Sequence, residues 1–351
     1  MREGERASDR PDLVARVFHL KWKRLLKELT EDGILGRVIG YCWTVEFQKR
    51  GLPHGHLLLT VASANKIKDT DDVNCRVVAE LPHDHQGSQA ELHRIVLAGM
   101  VHGPCGHRNP AAPCMNQEGY CSKKYPKELR PNTDLCDGVF PLYRRRELPE
   151  GRPRLKNGQP FNNGDVVPYN PYLTKRFAAH INVEIVNSLK SVKYLFKYVN
   201  KGHDRASMEV SNDEIKEHLD ARYVGASEAC YRLFGFALHG MSHSVTRLAV
   251  HLENHQSCLY VEGDERQSLQ RAQKKQSTLM AWFELNQKTD KFKDVLYIDI
   301  PRYCVWKQTK EGNSWEERKQ GGHRTIGRMY SASPGEGERY FLYVLLLHTP
   351  G

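Results

Sequence analysis

Two histidines stand two residues apart in the run Pro53-His54-Gly55-His56-Leu57-Leu58-Leu59. On an extended strand, residues i and i+2 project from one face, so both imidazoles can address a single divalent metal. The same spacing also fits two solvent-facing histidines beside a turn. Glu46 and Gln48 repeat the spacing on the preceding segment and offer an oxygen ligand across a hairpin. A mixed nitrogen and oxygen set suits Mg²⁺ or Mn²⁺ doing Lewis-acid work on a phosphate. Farther along, Tyr194 and Tyr198 lie four residues apart, hence on one face of a helix. Half-buried tyrosines of an amphipathic helix have this spacing. So do phenols set to attack phosphorus, with Lys197 and Lys201 able to hold phosphate oxygens or lower a phenol pKa.

A second group is Cys105, Cys114 and Cys121, with His102 and His107 nearby. They fall in 102–137, which is rich in Cys, Gly, Pro and Lys and has little periodicity. Such a segment needs help to fold, and a structural Zn²⁺ would supply it. His102, His107 or Cys136 could be the fourth ligand. The spacing is not that of a standard zinc finger, and three unrelated thiols remain the plain alternative. Lys123, Lys124, Lys127, Arg144, Arg145 and Arg146 mix with Tyr120, Tyr125 and Tyr143. Cations for a phosphate backbone and rings for base stacking make a single-stranded DNA surface. A solvated basic loop has the same composition.

The elements that must position these groups are legible in outline. Pro11 and Asp12 open a helix through Leu29 that Gly33 stops. Val38 to Phe47 and His54 to Val61 read as strands around a Gly-Pro turn, a β-hairpin with the polar cluster near its mouth. Residues 62–99 read as a loop and a helix. His180 to Val186 alternates like a strand, and 190–201, 213–223 and 227–234 read as helices. Residues 247–252 read as a strand, and 267–285 and 340–348 as helices. The expected class is α+β: an antiparallel sheet carrying the histidine hairpin, helices packed on one side, a Cys-rich insertion and a C-terminal α/β extension.

The chain has 351 residues, 52 Lys plus Arg against 42 Asp plus Glu, and a net charge of +10. An apolar content of 39% excludes wholesale disorder. No apolar run is long enough to span a membrane, and the charged start has no signal-peptide core. Nine cysteines in this length fit thiols that are free or on metal in a reducing compartment.

Together these segments resemble the HUH endonucleases, which nick single-stranded DNA. They resemble more closely the replication-initiator region of Helitron transposases, the helicase-like N-terminal domain of rolling-circle transposons. The resemblance is carried by residues 45–56, by His102-Gly103-Pro104-Cys105-Gly106 with Cys114-Met115 and Cys121-Ser122-Lys123, and by Val167-Pro168-Tyr169-Asn170-Pro171. It continues through His180-Ile181-Asn182-Val183-Glu184, residues 193–202, Asp220-Ala221-Arg222-Tyr223, Ser227-Glu228-Ala229 and Ile326-Gly327-Arg328-Met329-Tyr330. It implies that His54 and His56 bind the metal and that Tyr194 and Tyr198 are paired nucleophiles. One would form a 5′-phosphotyrosine and the other serve the second cleavage or strand transfer. A third ligand eight residues before the first histidine points to Glu46, with Gln48 the rival. Gly55 fills a middle position that usually holds an apolar or small residue, and adds backbone freedom there. The implied partner is single-stranded DNA at transposon ends, and the implied location in a eukaryote is the nucleus.

Two absences are set against this. Met1 falls about ten residues before the opening helix, where relatives carry a first strand. The sheet is therefore expected to lack an inner strand and to leave backbone groups unpaired. No GxxxxGK[ST] loop occurs, so neither ATP hydrolysis nor the helicase of relatives is expected of this polypeptide. The expected layout is nuclease over 1–101, the Cys-rich basic insertion over 102–165, the nuclease remainder with the tyrosine helix over 166–205, and an extension over 206–351. Two functions follow: a metal-dependent nuclease and strand-transferase, or an inactive, truncated relic that retains DNA binding.

Overall fold

The computed structural model describes residues 5–47, 51–82, 87–135, 140–148, 154–156, 158–186, 224–253, 255–256, 276–309 and 312–351. Two compact units divide the chain, Met1–Gly240 and Met241–Gly351. The architecture is α+β.

In the first unit, α1 (Pro11–Thr30) starts on Pro11 and carries Asp12 in its first turn and Lys27 in its last. Those charges oppose the helix dipole at both ends. Ala15, Trp22 and Leu29 are buried along one stripe, with Phe18, Leu25 and Leu26 packed beside them. The stripe lies on a sheet of order β2-β1-β5, formed by β1 (Val38–Phe47), β2 (Pro53–Val61) and β5 (His239–Met241). β1 and β2 are antiparallel, with Glu46 opposite His54 and Thr44 opposite His56.

This register sorts the strands by face. Trp43, Val45, Phe47 and Leu57 join the core with α1 and with α5 (Ala226–Leu233). Glu46, His54 and His56 stand on the opposite face. Gly55 belongs to the α1 face, and its job there is space. A Cβ on Gly55 would sit 2.3 Å from the Trp22 ring. The glycine admits the indole to the strand backbone rather than lending freedom to the metal site.

Part of the edge of β1 away from β2, expected to be unpaired, has a partner. β5 runs along the far side of β1, and the Val45 amide donates to the Leu238 carbonyl at 2.7 Å. Residues 224–240 pack in the first unit through α5 and β5. Nothing in the periodicity of a three-residue strand announces a distant pairing.

Behind the hairpin come α2 (Thr70–Arg76), α3 (Ala90–Gly99), the short hairpin of β3 (Arg154–Lys156) and β4 (Gln159–Phe161), and α4 (Pro171–Phe177). Asn170 caps α4 by accepting from the Leu173 amide at 2.9 Å. Ala178 ends α4 in the left-handed region. Residues 180–186 follow as an extended segment without assigned strand pairing. The second unit holds the parallel pair β6 (Ser244–Leu248) and β9 (Thr325–Met329), the antiparallel pair β7 (Cys304–Gln308) and β8 (Asn313–Glu317), and helices α6 (Thr278–Lys288), α7 (Ile300–Tyr303) and α8 (Glu338–His348). Its core gathers Leu248, Leu279, Trp282, Tyr297, Ile300 and Trp315.

Gly55→Ala is expected to lower the unfolding free energy by about 1–3 kcal/mol through overpacking against Trp22. Gly99→Ala, at the end of α3 with open space around it, should cost nothing. Urea denaturation of both variants checks the pair; equal stabilities would remove the Trp22 argument.

Candidate functional site

The histidine hairpin brings together three of the four metal ligands expected from the sequence. The rings of His54 and His56 meet edge to face with centroids 4.7 Å apart. Glu46 Oε2 lies 3.8 Å from His56 Nε2. Gln48 lies outside the described residues, as do Tyr194, Tyr198, Lys197 and Lys201. Burial holds the His54 pKa below its ordinary value, and the neighbouring His56 and His180 lower it further while Glu46 opposes them. Burial lowers His56 as well. Both shifts disfavour the charged imidazolium, and the neutral ring is the form that offers a lone pair to a metal. Two imidazoles and a carboxylate thus share one sheet face, nitrogen and oxygen donors of the kinds a divalent ion takes, although their ligand atoms do not all converge as those of the Cys-rich centre do.

The Cys-rich segment is a second, tighter centre. One ligand atom each from His102, Cys105, Cys114 and Cys121 lies within 4.8 Å of all the others, the one such cluster among the described residues. His102 Nε2 is 3.4 Å from Cys121 Sγ. Three thiols and one imidazole form a closed tetrahedral set of the structural zinc type. His107 is not in it, and Cys136 lies outside the described residues. Local backbone bonds fold the loop around the thiols: Ser122 donates to the Cys114 carbonyl and Lys124 to the Cys121 carbonyl, both at 2.7 Å. Burial pushes the Cys105 thiol up to about 12. Burial would raise Cys121 too, but amides of Tyr125 and Lys123 and the neighbouring thiols reverse the shift. A cation is the natural remedy for thiols crowded in this way.

Ring and charge contacts tie this centre to the segment after α4. His102 stacks on Tyr125 at 4.3 Å, and Lys127 Nζ sits 5.0 Å over the Tyr125 ring. Burial raises the Glu184 pKa, opposed by its bond to Tyr143 and the charges of Arg145 and Lys127. The Ile185 amide donates to the Tyr143 hydroxyl at 2.8 Å. Sequence reasoning missed this use of Glu184 and Tyr143; only the alternation of 180–186 hinted at an inward face.

The basic residues divide into two groups. Lys123 and Lys124 are exposed beside Tyr120, itself 71% exposed. An open hollow of about 510 Å³ lies here, lined by Tyr120, Lys124 and Tyr125 among others. The arginine run is different and corrects the expected DNA surface. Arg145 is buried and donates to the carbonyls of Ala79, Asn163 and Val166 at 3.4, 2.6 and 2.7 Å. Arg146 forks onto Glu80 at 2.9 and 2.7 Å, and Arg144 lies 3.5 Å from the same carboxylate. A row of three arginines reads as a polyanion site in sequence, but Arg145 is spent inside the fold, while Arg144 and Arg146 pair with Glu80 and stay partly open to solvent.

Residues 1–59 match the family described as the Helitron helicase-like domain at the N-terminus. That relates the opening of the chain, through α1 and most of the hairpin, to Helitron proteins. No curated protein matches the chain. No described helix is long and apolar enough to cross a membrane.

Two outcomes are expected. Purified protein should carry about one Zn²⁺ per chain by elemental analysis, and Cys105→Ser or Cys114→Ser should lose it and lower the melting temperature. Retention of full zinc by both variants would dismiss the cluster. Because folding lowers the affinity of His54 and His56 for protons, the unfolded chain binds more protons below the ordinary histidine value of 6.5. Stability should therefore rise with pH through that interval, and His54→Gln with His56→Gln should flatten the rise measured by denaturant titration.

Proposed function

We propose that the chain is a metal-dependent single-stranded DNA endonuclease and strand-transferase of rolling-circle, Helitron-type transposition. The observation that carries this reading is the pairing of His54, His56 and Glu46 on one sheet face, inside the segment related to Helitron proteins. A divalent Mg²⁺ or Mn²⁺ bound by these residues would polarise the scissile phosphate. These residues would hold that charge beside β1 and β2, on the face of the sheet opposite α1.

The nucleophiles of this proposal are Tyr194 and Tyr198, by resemblance. One phenol oxygen attacks phosphorus in line. The bond to the 3′ oxygen breaks, and that oxygen leaves as a hydroxyl after taking up a proton. The 5′ phosphate stays esterified to tyrosine, so the link can be passed to another 3′ hydroxyl without outside energy. Lys197 and Lys201 would neutralise phosphate oxygens nearby. Lys123 and Lys124 would take the strand backbone, with Tyr120 as a stacking platform for a base. A hollow of about 510 Å³ falls within the ~300–1,000 Å³ span of sites that hold small organic groups. Nuclear residence follows from this activity in a eukaryote.

Incubation with a labelled single-stranded oligonucleotide and Mn²⁺ should give a covalent protein–DNA band on a denaturing gel. Tyr194→Phe and Tyr198→Phe should each reduce or redirect the cleavage, and the double variant and His54→Ala should abolish it. Absence of any adduct with the intact chain would leave only a DNA-binding relic.

A further inference from the structure

The motif Ile326-Gly327-Arg328-Met329-Tyr330 has no part in the chemistry proposed for the hairpin. It forms most of β9, in the second unit, which pairs in parallel with β6. Burial alternates along this strand. Thr325, Gly327 and Met329 are buried, while Arg324, Ile326, Arg328 and Tyr330 are exposed. The inner face is closed by contact: a Cβ on Gly327 would fall 2.0 Å from the Ile298 carbonyl oxygen. On β6, Leu248 is buried and Val245 and Arg247 are exposed.

Register puts the outward residues side by side. Val245 lies opposite Ile326, and Arg247 opposite Arg328. Val245, Ile326 and Tyr330 are 48, 44 and 52% exposed. The Arg328 guanidinium sits 5.8 Å from the centre of the Tyr330 ring. Neither Arg247 nor Arg328 has an acidic partner among the described residues.

Two features of this face call for a partner. Parallel strands are ordinarily covered on both faces, and among the described residues this pair is covered on one. Like charges opposite each other on neighbouring strands, about 5 Å apart, repel; an anion between them removes the penalty. The Tyr330 ring and the two aliphatic side chains add apolar area beside those charges. Such a surface fits a chain whose phosphates and base faces are both accessible. A duplex hides its base faces and would leave Tyr330 idle.

We propose that the outer face of β6 and β9 binds single-stranded DNA, with Arg247 and Arg328 holding phosphate and Tyr330 stacking on a base. This rests on the nuclease reading for the identity of the strand, but binding requires no cleavage.

The test follows the fluorescence anisotropy of a labelled oligothymidylate with full-length, zinc-loaded protein, over a range of salt and without added Mg²⁺ or Mn²⁺. Arg247→Gln with Arg328→Gln should weaken binding and flatten the slope of log affinity against log salt by about 1.4, at about 0.7 per lost contact. Its melting temperature should not fall, because the two charges it removes repel. Tyr330→Leu should weaken binding about 5–150-fold, and Tyr330→Phe should stay near wild type. Unchanged affinity and slope in the glutamine variant, or a loss matched by a lower melting temperature, overturns this face. A Tyr330→Leu loss equal on duplex and single strand overturns it as well. Anisotropy as expected with no adduct on the denaturing gel supports this face and sinks the cleavage reading alone. No binding by the wild type overturns both.

Discussion

The contact on which the first unit's sheet depends is the seat of Trp22 on the bare backbone of Gly55. A strand has two faces, and this contact decides which one is core. With the indole laid on Gly55 and against Trp43, the α1 side of β2 is closed, and the residues on either side of the glycine must look outward. Those residues are His54 and His56. The direction in which the histidine pair looks is thus set by a contact on the other face of the strand. Gly240 repeats the device on β5, where a Cβ would fall 2.6 Å from the Trp43 ring. The two close approaches bring three elements onto one pair of tryptophans.

The Cys-rich insertion has a comparable role toward the next segment. Its Cys-bearing part, residues 102–135, owns few buried apolar residues: Cys105, Ala112 and Cys121. Its order comes from the four convergent ligands and from turns closed by backbone bonds. Through His102 and Tyr125 that order reaches the Arg145, Glu184 and Tyr143 group, which fixes 184–185 from one side while the leucines of β2 hold 181–183 from the other. A buried polar group of this kind is satisfied only in one arrangement, so it sets the course of the chain as well as its stability.

Much of this was legible in the sequence, and the parts that were not share a cause. β1 and the hairpin were read to within a residue, because alternation and a Gly-Pro turn are local signals. The Cys cluster was likewise readable, since thiols in an apolar-poor segment need a common purpose. What failed to show was long-range. β5 has three residues and no pattern of its own, yet it pairs with part of the edge of β1 away from β2. Gly55 looked like a source of freedom because its partner, Trp22, stands on another element. Arg144, Arg145 and Arg146 look alike in the sequence, which carries no record that Arg145 alone of the three is buried. The parallel pairing of β6 with β9 joins strands far apart in the chain, which no local period can announce.

The burial of Arg145 changes how the cationic character of the chain should be counted. Of the 52 Lys and Arg residues, Arg145 serves backbone carbonyls, while Arg24 and Arg176 hold Glu28, Arg108 holds Asp165 and Arg146 holds Glu80. These guanidiniums are committed within the molecule. Displacement of condensed ions from a bound strand depends on the cations that reach its phosphates, at about 0.7 ion per contact for single strands. An excess of +10 describes the whole chain; the ionic-strength sensitivity of a complex would reflect only the cations that reach phosphates, Lys123 and Lys124 among them.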